Sequence, residues 1–176
     1  MYEKFIARQP FYDEKLKVFA YELLFRSGPE NFFKPQKEAS SSVIVDSTML
    51  FDLQALTGNA KAFINLDLAS LQRGAARLLP PSRVVIEILE SIVPTPEVVQ
   101  LCKDVCASGY ELALDDYVSH AKWEPLLPLV KFLKVDFHSA DGDALAALAR
   151  LHKSKGLQLL AEKVETQADL NQAPAA

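Results

Sequence analysis

The sequence predicts an α/β fold built on a mainly parallel sheet. Three observations lead there. Strand-like and helix-like apolar patterns take turns along the chain, as in strand–helix–strand units with right-handed crossovers. Several strand candidates, such as Val84-Val85-Ile86 and Leu112-Ala113-Leu114, are apolar without alternation, which requires burial on both faces. These runs then end in a polar or charged residue. A closed (β/α) barrel and an open doubly wound sheet both fit this pattern. No G-x-G-x-x-G or P-loop stretch follows any strand, which counts against the nucleotide-binding open sheets.

Taken in order, residues 5–7 are a short strand candidate ending at Gln9-Pro10. Residues 16–25, rich in Val, Phe and Tyr, are a longer one. A polar loop follows over 27–42, and its serines offer N-caps for a helix over 43–55. Gly58-Asn59 ends that helix. Residues 62–66 form the next strand, followed by a short helix near 68–73. Residues 83–89 (RVVIEIL) form a buried strand. Pro94-Thr95-Pro96 then opens a helix whose Val98, Leu101, Cys102, Val105 and Cys106 make one apolar stripe. Gly109 stands where a helix commonly ends in a left-handed residue. Strands over 110–114, 132–135 and 157–161 alternate with a short helix over 123–127 and a longer one over 140–153. Thr166 caps a last helix.

Composition narrows the class. The chain has 176 residues, 49% apolar and 24% charged, so it has the makings of one buried core rather than a disordered tail. With 19 basic against 23 acidic residues, no broad basic face for nucleic acid is expected. No apolar run approaches the ~20 residues of a membrane span, and the first residues lack a signal-peptide pattern. Cys102 and Cys106, without histidine neighbours, are expected to be reduced core thiols of a cytoplasmic chain. Tyr110, Tyr117 and Trp123 are expected in the core or at its rim.

The chemistry concentrates at the strand ends. The second strand carries Glu22 and runs to Arg26; the third ends near Asn65; the fourth offers Glu87 and then Glu90. The fifth ends in Asp115-Asp116, the sixth carries Lys134 and Asp136, and the seventh reaches Glu162 with Glu165 behind it. In a parallel barrel the C-terminal strand ends converge on one face, where active sites are built. Converging carboxylates repel one another unless cations neutralise them. Oxygen donors suit Mg²⁺, Mn²⁺ or Ca²⁺. An Asp-Asp pair can bridge two ions that together hold a phosphodiester and activate water. Lys134 is placed to orient that water, and Arg26 to grip a phosphate.

At this point the residues resemble those of the EAL domains, the cyclic-di-GMP phosphodiesterases of bacterial signalling. The matching stretches run in order: Ile6-Ala7-Arg8-Gln9-Pro10, Tyr21-Glu22-Leu23-Leu24-Phe25-Arg26, Phe63-Ile64-Asn65-Leu66, Val85-Ile86-Glu87-Ile88-Leu89-Glu90-Ser91, Leu112-Ala113-Leu114-Asp115-Asp116-Tyr117, Leu133-Lys134-Val135-Asp136 and Ala161-Glu162-Lys163-Val164-Glu165-Thr166. The wording is most similar to the branch in which a divergent EAL domain precedes an HDOD domain. The resemblance implies a (β/α)8 barrel with an irregular, partly antiparallel start. It implies Mg²⁺ or Mn²⁺ held by Glu22, Asn65, Glu87 and Asp115, with Asp115, Asp116 and Glu162 around a second ion. It implies Lys134 and Glu162 as catalytic groups. It also implies Gln9, Arg26, Asp136 and Glu165 as ligand contacts for cyclic di-GMP.

Three departures shape the functional expectation. The signature triplet reads Glu22-Leu23-Leu24, which keeps the metal-type glutamate. The loop after Asp115-Asp116 reads Tyr117-Val118-Ser119-His120 where the family carries glycines, so positive φ is hard to reach there. A barrel of this type takes ~250 residues, so a single EAL-like domain over 1–176, incomplete at its C-terminal side, is expected. Its open sheet edge is expected to be covered by another chain, by the tail or by a swapped element, and a protein partner or homo-oligomer is expected. The expected function is therefore a degenerate EAL module that signals by binding a ligand or partner. The alternative is an active, metal-dependent phosphodiesterase that opens cyclic di-GMP to pGpG.

Overall fold

Beta-branched and aromatic runs become strands near their expected positions, except that the first, expected to end at Gln9-Pro10, runs on to Tyr12 as an edge strand, where a proline is tolerated. A computed structural model of the chain describes residues 5–13, 15–26, 53–118, 121–136, 148, 150, 156–164 and 166. Seven strands, β1 (Phe5–Tyr12), β2 (Val18–Arg26), β3 (Lys61–Leu66), β4 (Val84–Ile88), β5 (Glu111–Leu114), β6 (Phe132–Asp136) and β7 (Gln158–Glu162), stand in the sheet in chain order. Helices α1 (Leu53–Thr57), α2 (Leu68–Gln72) and α3 (Pro96–Ala107) lie between strands, with single 3₁₀ turns at Ala75–Leu78 and Ala121–Trp123. Internal contacts group residues 1–87 and 108–110 into one unit, and 88–107 and 111–176 into another.

In the first unit the chain departs from strict alternation. β1 pairs antiparallel with β2, Phe5 opposite Arg26 and Gln9 opposite Glu22, with a register shift at Phe11/Tyr12. The turn is held by Asp13, whose Oδ1 accepts from the N–H groups of Lys15 and Lys17, both at 2.9 Å. Such a turn makes a hairpin possible with no crossover helix. β2 then pairs parallel with β3, Glu22 opposite Phe63. Phe11 meets Phe63 edge-on, with ring centroids 4.9 Å apart. That geometry adds about 1 kcal/mol beyond burial alone. All five residues of β4 are buried, as the apolar run requires. Tyr110 joins this core; its hydroxyl lies 2.6 Å from the Ala76 carbonyl and 2.7 Å from that of Leu79. Arg83 closes the end of α1, donating to Gln54 Oε1 at 2.8 Å and to the Gly58 carbonyl.

In the second unit α3 follows the predicted stripe. Thr95 starts it, its Oγ1 accepting from Val98 N–H at 3.4 Å, and Pro96 takes the first helical position, where its missing N–H costs nothing. Val98, Cys102 and Val105 are buried, and both cysteines are free thiols. β5, β6 and β7 are parallel, with Ala113 opposite Phe132 and Asp136 opposite Glu162. Trp123 and Tyr117 are buried, in agreement with a core role. The helix expected over 123–127 is instead one 3₁₀ turn at Ala121–Trp123 followed by turns, since Pro125 and Pro128 withhold the backbone donors a helix needs. The expected helices over 43–55 (up to Asp52), 140–153 and after Thr166 fall outside the described residues or touch them only at Leu148 and Arg150. Among the described residues no helix is long and apolar enough to cross a membrane.

Candidate active site

In the first unit, three predicted cation ligands sit on neighbouring elements. Glu22 faces inward from β2 at 6% exposure, an expensive place for a carboxylate without partners. Asn65, near the end of β3, donates from Nδ2 to Glu22 Oε1 at 3.1 Å. Because the carboxylate needs a donor, this bond fixes the amide orientation. It leaves Asn65 Oδ1 buried with no hydrogen-bond partner among the described residues. Glu87, in the all-buried β4, is fully buried. Gln9, opposite Glu22 in the hairpin register, is exposed. Arg26 ends β2, and its side chain lies outside the described residues.

In the second unit, Lys134 is the organising group. It projects from the middle of β6 at 1% exposure. Its Nζ lies 2.7 Å from Asp115 Oδ1 and 3.0 Å from Glu162 Oε1. A buried ammonium held by two carboxylates from β5 and β7 is electrostatically tolerable only as such a set. Two residues along the same face, Asp136 accepts from Lys163 Nζ at 2.6 Å. That hydrogen bond, with the nearby charges of Asp136, Asp116 and Glu162, holds the Lys163 pKa above the usual lysine value. Asp116 is exposed, with φ of 41°. Lys163 has φ of 60°. Positive φ is therefore reached just after Asp115 without glycine, by an aspartate, whose short polar side chain tolerates it. Glu165 lies outside the described residues.

Lys163 was not singled out by the sequence. A lysine following a strand reads as a solvated turn, and its left-handed backbone is invisible in the residue order. Glu90, noted beside Glu87, is exposed, and its carbonyl accepts from Lys122 Nζ at 3.4 Å.

Known proteins agree with this fold. The PaMucR phosphodiesterase, solved in complex with c-di-GMP, superposes with a TM-score of 0.75 at 22% identity, over 96% of this chain and 88% of that one. The fold is that of an EAL domain. It is an incomplete (β/α) barrel of that type, as the resemblance implied, antiparallel start included. Klebsiella pneumoniae BlrP1, in a manganese and cyclic-di-GMP complex, is 25% identical with a TM-score of 0.72, over 93% of this chain and 50% of that one. In sequence, the Vibrio cholerae cyclic di-GMP phosphodiesterase CdgJ is 34% identical over 98% of this chain and 41% of its own length. Homologue and structures together support the EAL-domain family. The chain spans about two-fifths of the length of the curated relatives it matches. No protein-family profile matches it.

The two sets of residues answer differently to a divalent cation. The first fits one: Glu22, Asn65 and Glu87 are hard oxygen donors, and the buried, unsatisfied Asn65 Oδ1 is the atom a cation would satisfy. In the second, Lys134 already compensates Asp115 and Glu162, which lowers the demand for a further ion. Among the described residues no three His, Cys, Asp or Glu side chains are grouped as a metal cage.

Proposed function

We propose that the chain is a cyclic-di-GMP-responsive EAL module that binds the dinucleotide with one divalent cation and turns it over slowly or not at all. The supporting observation is the Glu22–Asn65 hydrogen bond, beside which the Asn65 amide oxygen is buried with no hydrogen-bond partner among the described residues. Glu22, Asn65 and Glu87 would hold Mg²⁺ or Mn²⁺. When bound, such an ion polarises a phosphate oxygen and lowers the pKa of water.

The chain's own groups have distinct parts. Gln9, beside Glu22 in register, offers an exposed amide to the ligand. Asp115 and Glu162 are oriented by Lys134, which lies 2.7 and 3.0 Å from them and holds both carboxylates in place as acceptors. Asp136 and Glu165 support the ligand, and Arg26 reads a phosphate. Weak turnover is supported by the loop after Asp115-Asp116, which reads Tyr117-Val118-Ser119-His120 where the family it resembles carries glycines. A protein partner or a second copy would then carry the signal. The cytoplasmic location, the single-domain reading of 1–176 and the EAL–HDOD branch belong to the same proposal; the motif wording supports the last.

One observation favours the alternative of an active phosphodiesterase: the 34% identity to CdgJ, a protein named for that activity. Incubation with cyclic di-GMP and Mn²⁺, followed by chromatography for pGpG, separates the two. The proposal expects the cyclic form to persist over many enzyme equivalents of time at which a phosphodiesterase would have consumed it. Rapid, Mn²⁺-dependent appearance of pGpG overturns it.

A further inference from the structure

We propose that Lys163 is a resident counter-cation that takes the place of a second divalent ion at the acidic ends of β5, β6 and β7. The inference rests on the reading above, in which the module takes one cation at Glu22, Asn65 and Glu87.

Four carboxylates, Asp115, Asp116, Asp136 and Glu162, come from these three strand ends within one unit. Lys134 is buried against two of them, at 2.7 and 3.0 Å. Lys163 is held against a third, 2.6 Å from Asp136 Oδ2, with its own side chain 55% exposed and that of Asp136 17% exposed. Asp116 and Glu162 attract the same ammonium. With both lysines in place the set keeps two negative charges; without Lys163 it keeps three. An ammonium beside a cation site opposes the ion through direct Coulomb repulsion, and it engages a carboxylate that the ion would otherwise recruit.

The backbone adds a second line. Lys163 has φ of 60°, a region disfavoured for any residue with a Cβ and free for glycine. Here the position carries a long cationic side chain in spite of that. The ammonium sits on a flexible stem with most of its length in water, so its removal leaves no cavity.

The test is the number of Mn²⁺ ions bound per chain, measured by calorimetry and by loss of the free-ion electron paramagnetic resonance signal. The wild type is compared with Lys163→Gln, Lys163→Gly and Lys163→Arg. The glutamine removes charge and keeps the backbone demand; the glycine removes both; the arginine keeps the charge. The expected result is one more ion bound by the glutamine and glycine variants than by the wild type and the arginine variant. Equal counts in all four proteins overturn the proposal, and so does a wild type that already binds two ions. A wild type that binds none contradicts the cation set at Glu22, while a gain of one in the glycine variant still upholds the role of Lys163.

Discussion

Lys134 Nζ donates to Asp115 Oδ1 across 2.7 Å while only 1% of the lysine side chain meets solvent. The same ammonium lies 3.0 Å from Glu162 Oε1. One buried cation thus ties β6 to both of its neighbours in the sheet. Lys134→Met removes the charge at nearly constant volume and leaves two partly buried carboxylates facing each other. The expected cost is about 3 kcal/mol, the low end for breaking a buried ion pair, because both carboxylates keep some contact with water. Urea unfolding measures it; a loss under 1 kcal/mol would show that the triad is not a structural tie.

Asn65→Asp tests the first set. The change replaces the Nδ2 donor at 3.1 Å from Glu22 Oε1 with a second carboxylate oxygen. Two buried acceptors then face each other. The variant is expected to lose about 1–3 kcal/mol of stability in metal-free buffer. Mn²⁺ should restore most of it, so that the unfolding midpoint of the variant depends on the ion more steeply than that of the wild type. Thermal unfolding with and without Mn²⁺ reads this directly, and equal ion dependence in both proteins contradicts the assignment.

Cys102 carries a pH signature. Burial, with a smaller contribution from Cys106, pushes its thiol up to about 11 from an ordinary value near 9.0. Burial raises Cys106 as well. The folded pKa lies above the unfolded one, so the contribution to stability is intact below pH 9 and is lost as pH rises through about 11. Native-state alkylation at pH 8 should therefore modify Cys106 before Cys102, as followed by peptide mass spectrometry. Equal rates would mean that α3 does not bury Cys102.

Gly109 isolates a backbone effect. It ends α3 with φ of 91°, and a Cβ there would stand 3.8 Å from Pro81 Cβ, an ordinary contact. Gly109→Ala should cost about 1–2 kcal/mol, from the left-handed backbone alone. A much larger loss in chemical denaturation would reveal packing that the geometry does not contain.

How far the residue order discloses the molecule varies along the chain. β3, β4 and α3 are legible because each buries a run or a stripe of one period, and because Thr95-Pro96 and Gly109 mark the helix ends chemically. The antiparallel hairpin is harder to read: β1 and β2 have the composition of any strand, and their pairing depends on the Asp13 turn, whose backbone capture by a side chain leaves no apolar period. Glu22 is legible as a candidate because a carboxylate within an apolar strand is costly. Its bond to Asn65, some forty residues away in sequence, is a product of tertiary packing. Lys134 reads as one polar residue in a strand; only the sheet shows that it satisfies Asp115 and Glu162 together. Lys163 escapes notice because its role depends on a backbone angle that lysine seldom adopts.

The most direct test is calorimetric titration of the intact chain with cyclic di-GMP, with and without Mn²⁺, and with the nucleotide recovered for chromatography afterwards. The account predicts saturable binding that weakens when Mn²⁺ is left out, and recovery of the ligand largely in its cyclic form. Absence of binding under both conditions, or recovery of the ligand as linear pGpG, would contradict it.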